Sequence, residues 1–159
     1  MSTVLRLVDK LLILALAALV TSMVAAVTWQ VLSRYLFVVP AAWTEELARF
    51  LLIWIGMLGA AYAYRTRSHL GLDLLPARLS GAGKTGLHIL THVVCLMFAI
   101  TVLVVGGSSL VTMTWELKQY SAAMGLPIAY VYSVIPASGV LICVFALVGI
   151  FQGPERGES

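Results

Sequence analysis

Leu11 to Ser33 reads LLILALAALVTSMVAAVTWQVLS, a run without one charged side chain. About 20 such residues, wound as a helix, cross the hydrocarbon core of a bilayer. Arg6 and Lys10 stand before the run, and Trp29 lies near its far end, where an indole suits the membrane–water boundary. Arg34 and Tyr35 follow as boundary residues. The stretch outruns the roughly 7–15 apolar residues of a secretory signal, and no small-x-small cleavage site ends it. It is expected to stay as a first membrane helix.

Three further runs follow the same logic. Pro40 interrupts the chain, and Ala41 to Phe50 is amphipathic, carrying Trp43, Glu45, Glu46 and Arg49. Thr44 is expected to cap a helix here, with both carboxylates in its first turn, where the helix dipole favours anions. Leu47 to Tyr64 is the second span, approached through a short helix lying along the membrane surface. Gly56, Gly59, Ala60, Ala61 and Ala63 give this span small residues that let another helix come close. Arg65 to Gly86 is a polar connection with Arg67, His69 and Asp73, made partly apolar by Leu70, Leu72, Leu74 and Leu75. Leu87 to Trp115 is the third span. Pro127 to Phe151 is the fourth, and Pro136 inside it predicts a kink. Residues 152–159 form a polar tail, expected to be disordered. The fold expected is an all-α integral membrane protein, one domain over 1–159, with four transmembrane helices and short amphipathic interfacial helices.

Composition agrees. Of the 159 residues 61% are hydrophobic and 11% charged, and the mean hydropathy is +1.00. A soluble domain carries about 25% charged residues. So short a chain has too little interior to hide this much apolar surface from water. The net charge of +3 does not point to nucleic acid, because the basic residues sit at span ends and form no stripe. They report topology instead. Arg6, Lys10, Arg65, Arg67, Arg78, Lys84 and Arg156 fall on one side; Arg34, Arg49 and Lys118 fall on the other. The positive-inside rule places the first group, and both termini, in the cytoplasm.

Candidate chemistry is sparse. Ser80 to Thr85 looks like a phosphate loop, but the glycine required five residues before Gly83-Lys84 is Arg78, and no strand precedes it. His88 and His92 share a helix face at i, i+4. They read as polar packing, since no further ligand clusters with them. Cys95 and Cys143 lie in apolar runs as packing residues. No Asp or Glu lies at the centre of any span, where an ion-coupled carrier keeps its costly ionisable groups. The hydroxyls of Thr21, Thr28, Thr101, Ser108, Ser133 and Ser138 are expected to bond back to their own helices. The densest polar cluster is Trp43, Glu45, Glu46 and Arg49, in which either carboxylate is spaced to pair with the guanidinium.

These residues carry a resemblance. Arg34-Tyr35-x-Phe37, Ala42-Trp43-Thr44-Glu45-Glu46-Leu47-Ala48-Arg49-Phe50, Trp54, Gly59-Ala60 and Arg67-x-His69-x-x-x-Asp73 resemble the small membrane subunit, DctQ type, of tripartite ATP-independent periplasmic (TRAP) transporters. Gln119-x-Ser121-x-Ala123-x-Gly125-Leu126-Pro127, Tyr130 and Pro136-x-x-Gly139 extend it in order. The resemblance implies a non-catalytic subunit of the bacterial inner membrane. Its implied partners are a large multi-spanning subunit, which carries a small organic acid on a sodium gradient, and a periplasmic substrate-binding protein. This chain would scaffold the large subunit, aid docking of the binding protein, and hold no cofactor; the sodium ions belong to the partner. An interface or structural ion pair is expected around Arg34, Tyr35, Trp43, Glu45, Glu46, Arg49, Trp54, Gly56 and Gly59. Further expected motifs are Arg67, His69 and Asp73 in the cytoplasmic loop, and Pro127, Tyr130 and Pro136 at the start and kink of the fourth span. The alternative is an autonomous four-helix exporter acting as a homodimer. A haem-binding subunit or a holin-like protein is more distant.

Overall fold

A backbone amide in hydrocarbon has no water to bond, so each apolar run satisfies its own N–H and C=O groups as helix. The computed structural model describes residues 2–36, 42–66 and 82–152. Helix α1 is Ser2–Leu36 and α2 is Ala42–Arg65. The third crossing runs without a break through α3 (Ala82–Phe98), a π-helical segment (Ala99–Gly106) and α4 (Gly107–Glu116). The fourth is α5 (Ile128–Tyr132) followed by α6 (Val134–Gln152). Among the described residues four helices are thus long and apolar enough to cross a membrane.

Two local expectations need correction. Ala41 to Phe50 does not form a separate surface helix: from Ala42 onward it supplies the first turns of α2. Thr44 is consequently the third residue of that helix, fully buried, and does not cap it. The break in the fourth crossing falls at Ser133, ahead of Pro136. The proline ring clashes with the carbonyl four residues back, that of Tyr132, the last residue of α5. Pro136 itself sits in the first turn of α6, where its missing N–H costs nothing.

Helix α6 is the hub. It packs on α2, α3 and the π segment, while α1 lies along α2. Leu12, Tyr64, Phe145 and Ala146 form a buried cluster, joined by Leu58, Leu96 and Ile142. Beside it Arg65 pairs with Asp9 at 3.5 Å, tying the end of α2 to the start of α1, and its guanidinium lies 5.8 Å from the Phe145 ring centre. The outward surface is apolar: Leu14, Val24, Met97 and Val105 are all exposed. Water would not tolerate this surface, but lipid or a membrane partner does.

The third and fourth crossings meet through glycine. A Cβ on Gly139 would stand 2.7 Å from Leu103 Cβ and 3.1 Å from the Val104 backbone nitrogen. A Cβ on Gly107 would stand 2.8 Å from Ile135 and 3.1 Å from the Pro136 nitrogen. Each helix therefore lends the other a glycine at the crossing. Gly106, one residue away, meets nothing nearer than 3.7 Å. Gly139→Val is expected to destabilise by about 1–3 kcal/mol, the usual cost of overpacking, whereas Gly106→Ala is tolerated. Thermal melting in mild detergent compares the two; equal melting of both variants would remove the crossing from the account.

Candidate functional site

The charged first turns of α2 use their two carboxylates differently. Glu45 pairs with Arg49 one turn on, and both side chains are largely exposed. Glu46, one residue along and so rotated about 100° around the helix, faces the connection between the third and fourth crossings. Its Oε1 accepts the N–H of Ala122 at 3.1 Å, and its Oε2 accepts those of Ala123 at 3.0 Å and Met124 at 3.1 Å. Three successive amides thus converge on one carboxylate, an anion-binding concavity of consecutive N–H groups. The cluster expected from spacing alone splits into a local ion pair and a long-range clamp.

The connection is built to present those amides. Leu117 and Lys118 close α4 with N–H bonds to Met113 and Trp115 carbonyls. Tyr120 and Pro127 face each other as an antiparallel bridge, and Ile128 N–H donates to the Gln119 carbonyl at 2.9 Å. Inside that ring Ser121 N–H donates to Leu126 O and Gly125 N–H to Ser121 O, while Ser121 Oγ accepts from Met124 N–H. Gly125 takes φ +66°, which only glycine adopts without strain. The motif Gln119-x-Ser121-x-Ala123-x-Gly125-Leu126-Pro127 therefore spells a turn whose open N–H groups Glu46 fills.

The remaining expected residues scatter. Arg34 and Tyr35 end α1, exposed. Trp43 is exposed and Trp54 half-buried on α2. Gly56 has open space where a Cβ would stand, and Gly59 is 4.0 Å from Leu16. Pro127 is the extended residue leading into α5, and Tyr130 meets Trp115 edge-on with ring centres 5.8 Å apart. Arg67, His69 and Asp73 lie outside the described residues. The clamp partner of Glu46 was missed because the link spans 76 residues of sequence; Gly125 in a short polar loop was its only local signal.

Among the described residues no three His, Cys, Asp or Glu side chains come together. His88 and His92 face each other with Nε2 atoms 3.2 Å apart, and the Tyr64 hydroxyl shares a hydrogen bond with His92 Nδ1. A Cβ on Gly149 would lie 2.5 Å from the buried His92 ring. These contacts of the pair tie α2, α3 and α6 together. The hydroxyls of Thr21, Thr101, Ser108, Ser133 and Ser138 all bond back to their own helices.

The family model described as "Tripartite ATP-independent periplasmic transporters, DctQ component" matches residues 23–155. The chain belongs to this DctQ family. It is thereby a transporter component rather than an enzyme, and a multi-pass protein of the inner membrane. It is 34% identical over 135 residues to the isethionate TRAP transporter permease protein DctMQ of Oleidesulfovibrio alaskensis, covering 81% of this chain and 21% of the relative. It is 31% identical to the C4-dicarboxylate TRAP transporter small permease protein DctQ of Rhodobacter capsulatus, covering 73% of this chain and 51% of the relative. A putative TRAP transporter small permease protein of Haemophilus influenzae is 27% identical, with 85% and 82% covered. The chain thus spans about a fifth of the first relative and half of the second.

If the carboxylate holds the turn, Glu46→Ala frees three amides at once. Hydrogen exchange at Ala122, Ala123 and Met124 is expected to speed up about tenfold or more, the equivalent of 1.4 kcal/mol, while the α6 core stays protected. Unchanged exchange at those three amides would mean that the turn stands alone.

Proposed function

We propose that this chain is the small permease subunit of a sodium-driven TRAP importer for a small organic acid. In this reading it scaffolds a large transport subunit and aids docking of the periplasmic binding protein. Both termini lie in the cytoplasm, following the excess of Lys and Arg on that side. Family membership supports the assignment, and so do the acids named for two relatives, isethionate and C4-dicarboxylate. In the DctMQ relative the matched region fills only 21% of the chain, which leaves room there for a large permease on the same polypeptide. The conducting chemistry belongs to that partner.

The observation that carries the scaffold role is the outward face of α2. Leu52 is 57% exposed, Gly56 is open to close approach, and the Glu45–Arg49 pair stands exposed at the helix mouth. Small residues beside apolar ones are what a neighbouring membrane helix needs. Glu46 is committed to this chain's own turn and keeps the mouth of α2 in place.

Co-purification with the large permease tests the reading. Arg49→Glu is expected to lower both recovery of the partner and substrate uptake several-fold. Full assembly and uptake in that variant would sink the docking role of α2. A homodimer without any larger partner would favour an autonomous exporter instead.

A further inference from the structure

At the end of the bundle away from the termini, α4, the turn and the start of α5 leave a cavity of about 160 Å³, lined by Thr114, Trp115, Lys118, Gln119, Tyr120 and Pro127. Gln119, Tyr120 and Pro127 also build the turn that Glu46 fills, but the Glu46 carboxylate does not line the cavity. Its rim is aromatic: Trp115 and Tyr120 are more than half exposed, and Tyr130 stands edge-on to Trp115. Such rings sit at the headgroup level of a bilayer.

Lys118 is the unusual member. It takes φ +48°, the left-handed conformation that closes a helix and that glycine or asparagine adopts at less cost. Glycine would end α4 equally well, so the lysine side chain has a role that the backbone does not explain. The nearby carboxylates do not account for it. Glu45 is paired with Arg49, Glu46 is held by the turn, Glu116 ends α4 with an exposed side chain, and among the described residues no ion pair joins Lys118 to any of them.

We propose that this cavity seats the headgroup of an anionic phospholipid, with the Lys118 ammonium facing its phosphate and Gln119 and Tyr120 offering hydrogen bonds on the rim. A lipid fits better than a free anion. One exposed lysine holds a soluble ion weakly, because water screens the pair. A lipid adds the burial of acyl chain at about 0.8 kcal/mol per CH₂, and the exposed apolar side chains of Met113 on α4 and Val105 on the π segment can receive it. The site depends on the membrane-spanning fold and not on which acid is transported.

Retention of added lipid on the purified full chain, read by native mass spectrometry, tests the proposal. Phosphatidylglycerol is expected to stay bound to the wild type and to Lys118→Arg, and phosphatidylcholine to be held several-fold less. Lys118→Gln is expected to lower phosphatidylglycerol retention several-fold, to the phosphatidylcholine level. Lys118→Gly is the control for folding: it relieves the left-handed strain, so melting holds or rises while the lipid is lost. Undiminished phosphatidylglycerol binding in Lys118→Gln and Lys118→Gly would overturn the site. So would equal retention of the two lipids by the wild type. Displacement by inorganic phosphate at the concentration of the lipid would reduce it to a simple anion site and equally overturn the lipid assignment.

Discussion

Hydrocarbon offers no hydrogen-bond partner, and the structure is arranged around that single fact. Every crossing is helical, so its amides are satisfied within one segment. The hydroxyls inside the crossings follow suit, with Thr101 donating to the Met97 carbonyl and Ser138 to that of Ile135. Among the described residues three polar contacts join distant segments in different settings. The Glu46 clamp stands at the helix mouth, the Asp9–Arg65 pair at the opposite end of α2, and within the bundle the Tyr64–His92 bond is sealed by α6. Charge is kept where water or headgroups can reach it.

The same solvent removes the usual reason for helices to associate, since a lipid tail is as apolar as leucine. What remains is close contact. Gly107, Gly139 and Gly149 provide it by giving up their side chains to Pro136, Leu103 and His92. This makes α6 the hub and leaves the outward faces of α1 and α2 free for other membrane neighbours. The proposed scaffold role draws on that division: close packing within, and an apolar outer face among the described residues.

The crossings were legible because a long uncharged run has one outcome in a bilayer. The expected span 11–33 lies within Ser2–Leu36, and 47–64 lies within Ala42–Arg65. The helices are longer because winding does not stop where hydrocarbon ends. The Glu45–Arg49 pair was legible for the same local reason, being one turn apart. The role of Glu46 was not, because it depends on a turn far away in sequence and on which way residue 46 faces. Pro136 signalled a break correctly but misplaced it, since a proline disturbs the residues before it rather than its own position. The π segment had no composition signal, as Ala99 to Gly106 is apolar apart from Thr101.

That segment has a consequence for how the chain can vary. Ala99, Leu103, Gly107 and Val111 recur every fourth residue and are turned from the surface, with Val104 beside Leu103. On an ordinary α-helix a step of four overshoots by about 40° each time, and such a row would wind away from α6. Wider turns absorb the overshoot and keep the row in line. Helix phase and residue count are therefore uncoupled between Ala99 and Gly106. A lineage could lose one residue there by tightening a wide turn, and Gly107 would still meet Pro136. The same deletion anywhere else in the third crossing would rotate everything beyond it by about 100°.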